Sequence, residues 1–288
     1  MVHQLISDQL TVGINAFGAE LCSVKNNDGI EFIWQADPQI WARHAPVLFP
    51  IVGKLKNNKY RLQQNEYQMG QHGFARDMVF ELINHQSQQC TFRLNANEES
   101  KKIYPFIFTL DITYILSGHN LEVKYTVANQ DTKNMYFSIG AHPAFNVPLM
   151  PNERFNDYSL VFQHNTCEKT LLQGGLLSEN KETFVVENGI LPLKKSLFEA
   201  DALIFENGQI EEILLISAKN AHKIGLKCKN WPYFGVWSKK DCESFVCLEP
   251  WYGIADTHQT SGELTLKKGI LNLAPTEVFT CSYQLSFQ

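Results

Sequence analysis

Between Phe106 and Val127 the chain alternates apolar and polar residues with a period of two. Phe106, Phe108, Leu110, Ile112, Tyr114 and Leu116 interleave with Thr109, Asp111 and Thr113. Gly118-His119-Asn120 breaks the run, after which Leu121, Val123, Tyr125 and Val127 interleave with Glu122, Lys124 and Thr126. Successive side chains of a strand point to opposite faces, so each arm has one dry face and one wet face. A helix repeats every 3.6 residues and would scatter the same apolar positions around its circumference. The stretch therefore predicts an antiparallel hairpin whose dry face needs a second layer.

The same pattern recurs along the chain. Residues 19–34 read as another hairpin that turns at Asn27-Asp28-Gly29. Phe279, Cys281, Tyr283, Leu285 and Phe287 alternate near the C-terminus, and 78–83, 90–94, 213–217, 223–228 and 244–248 read as short strands. Helical periodicity is scarce, and 193–200 is the one short helix expected. Residues 150–200, with Gly174-Gly175, read as long surface loops with interspersed strands. Together these predict an all-β fold, a large antiparallel β-sandwich formed as one domain over residues 1–288. A site is expected on its concave face or at strand ends.

Composition narrows the function. Of the residues, 44% are hydrophobic, enough for a substantial core. The formal charge of -5, with no basic stripe, argues against nucleic acid or an anionic membrane as a partner. No apolar run is long enough for a membrane-spanning helix. The start, Met1-Val2-His3-Gln4-Leu5-Ile6, lacks the pattern of a secretory signal. Seven scattered cysteines with no Cys-x-x-Cys fit reduced, buried thiols and a cytoplasmic location. Cys242 and Cys247 lack metal-site spacing and read as structural thiols.

Two proline-anchored polar residues stand out. His142 sits in Gly140-Ala141-His142-Pro143-Ala144-Phe145-Asn146, and Glu249 in Cys247-Leu248-Glu249-Pro250-Trp251. A following proline holds the preceding residue extended. Taken alone, such a histidine is more often a hydrogen-bonded core residue. A glutamate after an apolar strand needs a partner in either reading, because a lone buried carboxylate is unfavourable. Taken together, an imidazole and a carboxylate supply one proton donor and one acceptor. A cyclic aldose needs both to open its ring: a base for the anomeric hydroxyl and an acid for the ring oxygen. Each such group is worth roughly 10²–10⁴ in rate. The reaction needs no metal and no redox cofactor.

The His142 stretch resembles the Thr-His-Pro-x-Phe-Asn signature of the aldose 1-epimerases, the galactose mutarotases. Cys-Leu-Glu-Pro-Trp resembles their glutamate motif. Gln71-His72-Gly73-Phe74-Ala75-Arg76-Asp77 is similar to a His-Gly-Phe-Ala-Arg block shared by the LacX-like and hexose-6-phosphate epimerase branches. Pro46 through Leu55 resembles the Leu-Phe-Pro-x-x-Gly-Arg stretch of the LacX-like branch, and Phe17 through Val24 the opening strand. Together these five blocks, in the expected order, cover most of the chain. The resemblance implies a galactose mutarotase-like supersandwich acting on a small sugar as a monomer or homodimer. It implies that His142 is the general acid, Glu249 the general base, His72 a second histidine that orients the sugar, and Asp201 a ligand of ring hydroxyls.

The chain departs from galactose mutarotases where they carry an arginine beside the Phe-Pro-x-x-Gly stretch. Lys54 stands there, followed by Lys56 and the turn-like Asn57-Asn58, so a solvated loop is its competing fate. Arg76 and Arg43 are the arginines nearest the family's basic positions, with a surface ion pair as the alternative for Arg76 and Asp77. Trp231, Tyr233, Phe234, Trp237 and Trp251 flank Glu249. Most of these belong to a core, and Trp237 is a candidate to floor the sugar. The expected activity is anomer interconversion of a free hexose, galactose or glucose. A hexose 6-phosphate substrate and a non-catalytic carbohydrate-binding protein are the alternatives. A glycoside hydrolase would need a second carboxylate, and only one stands out.

Overall fold

A computed structural model describes residues 1–288 of the chain. It is nearly all strand, and every pairing between named strands is antiparallel. One sheet has nine strands, in the order 190–192, 158–162, 212–217, 223–227, 278–287, 120–129, 108–117, 89–95 and 81–85. A second sheet runs 176–185, 166–173, 203–206, 233–237, 245–252, 139–141 and 47–48, with 144–146 also paired to 245–252. A three-stranded sheet, Val2–Ile6, Leu10–Asn15 and Glu20–Asn26, adds to one end.

The sequence pattern explains the layering. Phe108–Ser117 and Asn120–Asn129 pair in unbroken register around the two-residue turn Gly118-His119. Their alternate residues, Phe108 to Leu116 and Leu121 to Val127, are buried. The dry face packs with side chains of the other large sheet, among them Phe145, Phe205 and Val246, in one continuous apolar core. The 278–287 strand pairs with 120–129 and buries Cys281, Tyr283, Leu285 and Phe287.

Three expectations need correction. Glu20–Asn26 pairs with Leu10–Asn15, and its presumed partner beyond Gly29 reduces to a single bridge, Lys25 to Glu31. The chain does turn at 27–29, but Phe32 and Ile33 then enter the core instead of continuing the arm. Residues 150–200 are not mainly loop: Thr166–Gln173 and Leu176–Val185 form a long hairpin around Gly174-Gly175. Its outer arm is exposed along much of its length, so no apolar alternation marked it. The helix expected at 193–200 is one turn of 3₁₀, Lys195–Phe198. The α-helix lies at Glu98–Ile103, started by an Asn97–Ser100 capping box.

Candidate active site

His142 falls in the gap between two short strands that both pair with Phe245–Tyr252. Gly140 pairs with Trp251 on one side of the gap, and Ala144 with Cys247 on the other. Interpolating that register places His142 directly opposite Glu249. Residues opposite each other in a ladder share a face, with side chains about 5 Å apart. His142 Nε2 and Glu249 Oε2 are 3.2 Å apart, with side-chain exposures of 10% and 2%. Two motifs about a hundred residues apart in sequence thus meet through ordinary strand pairing.

Both side chains line a cavity of about 530 Å³. That volume suits a small ligand. Trp41 stacks on the His142 ring at 5.0 Å and 28°, while Trp237 and His72 meet it edge-on, each at 5.6 Å. Trp251 covers the strand beside Glu249. It fits there because Gly140 and Gly235 lack side chains: a Cβ at either would lie 2.7 or 2.4 Å from the indole. Gly235 is the ladder partner of Glu249 on the other side.

Burial sets the charge state of the pair. Desolvation drives the Glu249 carboxyl well above the ordinary carboxylate range; the Trp251 side chain works against this, and the neighbouring Asp201 charge adds to it. Desolvation lowers the His142 imidazole to about 3, and the positive field of Arg76 and Arg43 adds to this. Burial thus favours the neutral form of each group, a protonated carboxyl at Glu249 and a singly protonated ring at His142. His142 Nδ1 and Glu249 Oε2 have no well-aligned hydrogen-bond partner. Buried polar atoms left open in this way are uncommon away from functional sites.

His72 is fixed differently. Its backbone adopts the left-handed region (φ 68°), unusual for a non-glycine residue. Its Nδ1 accepts a hydrogen bond from the Gly53 N–H at 3.1 Å, so the neutral ring carries its proton on Nε2. Nε2 lies 3.2 Å from the Gln71 side-chain amide. Desolvation first, and then His142 and the two arginines, hold His72 well below its usual range. Asp201, which also lines the cavity, has a positive φ as well, 82°.

Of the residues singled out in the sequence, His142, Glu249, His72, Arg76, Asp201, Arg43 and Trp237 all line this cavity. Lys54 does not. Its Nζ donates to the Gly174 carbonyl at 3.0 Å, and its stem packs under Gly175, so it fastens the 166–185 hairpin to the rim. The Arg76–Asp77 surface pair is loose, at 3.9 Å. Asp77 instead binds Arg43 at 2.9 Å, while Arg76 donates to the Gln71 carbonyl and keeps a buried Nε without a partner. Burial, with Arg43 nearby, lowers Arg76 to about 10.

Sequence reasoning missed Trp41 and Lys239. Both belong to irregular segments with no periodicity and no motif. Lys239 Nζ donates to the Ile40 carbonyl at 2.7 Å, and Trp34 Nε1 to the Trp41 carbonyl at 2.8 Å. The 37–43 loop is thus tied down at Ile40 and Trp41 and again at Arg43. Behind the cavity, Lys267 and Asp256 form a buried ion pair at 3.1 Å, and Asp256 also accepts from the Lys56 N–H at 2.9 Å. The seven cysteines are free thiols, and all but Cys22 are buried.

Two packed antiparallel sheets with such a cavity form the galactose mutarotase-like β-sandwich, an architecture that serves sugar-converting isomerases. The chain belongs to the aldose 1-epimerase family, whose sequence model matches residues 1–270. It is 34% identical over 296 residues to the plasmid-encoded Protein LacX of Lactococcus lactis subsp. lactis, an alignment that covers 99% of both chains. Among solved structures it resembles a galactose mutarotase related enzyme from Lactobacillus acidophilus, with TM-score 0.96 and 36% identity. That match covers 100% of this chain and 97% of the other. A galactose mutarotase-like protein from Lactobacillus casei ATCC 334 matches with TM-score 0.91 and 33% identity, over 100% of both chains. No helix is long and apolar enough to cross a membrane.

Proposed function

We propose that the enzyme interconverts the α and β anomers of a free hexose, galactose or glucose, by acid/base ring opening between Glu249 and His142. The observation that carries this reading is their 3.2 Å approach on the wall of a sugar-sized cavity. Moving the carboxyl proton from Glu249 to His142 yields the carboxylate and imidazolium that ring opening requires. The Trp41 face stabilises the imidazolium, because an aromatic quadrupole attracts a cation held over it. Glu249 then removes the anomeric proton while His142 protonates the ring oxygen. After rotation about the exposed carbon–carbon bond, the roles exchange and the ring recloses, with no net proton moved. His72, presenting Nε2–H, and Asp201, presenting acceptors, orient the hydroxyls. Trp237 packs on the sugar's C–H face.

The test is polarimetry of freshly dissolved α-galactose and α-glucose. The reading expects relaxation well above the spontaneous rate. No acceleration with any member of an aldose panel would refute it.

One observation favours a second substrate class within the same chemistry. Arg43, Arg76 and Lys239 all line the cavity. A hexose phosphate would find a cationic clamp there, and its charge would offset the positive field that depresses His142. Competition between hexose 6-phosphate and free hexose separates the two readings. Equal specificity would count against the phosphate.

A further inference from the structure

Cys247 takes no part in the proton exchange proposed above, yet it shares a strand face with Glu249, two residues earlier in Phe245–Tyr252. Its ladder partner is Ala144, so His142 lies diagonally across from the thiol. As a result, one donor atom from each of His142, Cys247 and Glu249 lies within 4.8 Å of the other two. All three residues are at least nine-tenths buried. Two polar atoms of these residues, His142 Nδ1 and Glu249 Oε2, have no well-aligned hydrogen-bond partner, although Oε2 lies 3.2 Å from His142 Nε2. The cavity reaches His142 and Glu249, which gives an ion a route in.

Imidazole, thiolate and carboxylate form a donor set for a borderline-soft cation with tetrahedral preference. Calcium and magnesium, by contrast, want a shell of oxygens. Donors around tetrahedral zinc lie about 3.5 Å apart, so side-chain rotations of roughly 1 Å close this set. We propose that Zn²⁺, or Cd²⁺ in its place, binds through His142, Cys247 and Glu249, with water as fourth ligand, and that the bound ion inhibits the enzyme.

On binding, the Cys247 S–H and Glu249 O–H bonds break and both protons pass to solvent. The sulfur lone pair then goes to the ion, and no electron is transferred. The ion takes the carboxylate and imidazole lone pairs that ring opening needs, so it is an inhibitor and not a cofactor. The inhibition rests on the proposed roles of His142 and Glu249; the binding does not.

Two readouts test this on the full chain: the cadmium–thiolate charge-transfer absorbance during Cd²⁺ titration, and the polarimetric rate during Zn²⁺ titration. The wild type should show one saturable equivalent of the band and lose activity in parallel. Cys247→Ala should keep the basal rate, lose the band, and need at least about tenfold more Zn²⁺ for half-inhibition. Cys247→Val, which fills the apolar pocket, replaces it if alanine fails to fold. Absence of a band at one equivalent overturns the proposal, as does a band that survives in the variant. A band without inhibition overturns the inhibitory step. If the wild type acts on no sugar, the absorbance still decides the site, and only the proposed function fails.

Discussion

Replacing Glu249 by glutamine should move activity and stability in opposite directions. Glutamine keeps the shape of a protonated glutamate and cannot ionise. If Glu249 is the base, its loss removes roughly 10²–10⁴ in rate. Stability follows from burial. The folded-state pKa of Glu249 lies well above its ordinary 4.5. The folded protein therefore keeps a proton that the unfolded chain releases above that pH. Each pH unit above 4.5 costs the wild type about 1.4 kcal/mol, until the folded group also titrates. Glutamine carries no such penalty. Its advantage should be small near pH 5 and grow toward neutrality, seen as a Tm difference from wild type that widens with pH. Polarimetry on galactose and differential scanning calorimetry at pH 5 and 8 measure the two effects. An unchanged rate would refute the catalytic role. A variant less stable than wild type at pH 8 would refute the neutral-pair account and make Glu249 a structural hydrogen-bonding residue.

Other outcomes follow from the same geometry. His142 is depressed from 6.5 to about 3, so the unfolded chain binds its proton first as pH falls. Wild-type stability should decline from pH 6.5 down to about 3, and His142→Gln should flatten that decline while abolishing ring opening; identical acid denaturation profiles would contradict the neutral assignment. Gly235→Ala places a methyl 2.4 Å from the Trp251 indole and must displace it or the Glu249 strand, so kcat should fall at least about tenfold, and wild-type kcat with an unshifted Tm would show that the indole yields freely. Lys267→Met strands the Asp256 carboxylate in the interior and should destabilise the protein by about 3–5 kcal/mol in urea unfolding. The double variant with Asp256→Asn should recover much of this; no recovery would place the loss in packing.

The sandwich was legible because its central hairpin repeats the strand period over ten residues per arm. The outer hairpin at 166–185 escaped because both faces of its exposed arm meet solvent, leaving no contrast to read. His142 and Glu249 announced themselves through proline, but their opposition did not. It depends on two three-residue strands pairing with one long partner, which no local pattern encodes. Trp41 and Lys239 come from irregular segments whose shape is set by tertiary ties, the Lys239–Ile40 bond among them. Lys54 looked like a ligand contact because of its neighbours in sequence, whereas the Gly174 carbonyl claims its ammonium.

The two groups proposed to move protons hang from rungs of a hydrogen-bonded ladder, while the surfaces that would touch hydroxyls or an anion come largely from 37–43, 71–76 and 201–202, with Lys239 beside them. Alignment and environment therefore have different sources: the ladder sets where the pair stands, whereas Trp41 and His72 touch the His142 ring from two of those segments. Exchanges there would retune which aldose enters and the proton affinity of His142 together, so descendants of one scaffold drift in diet and in acid strength at once.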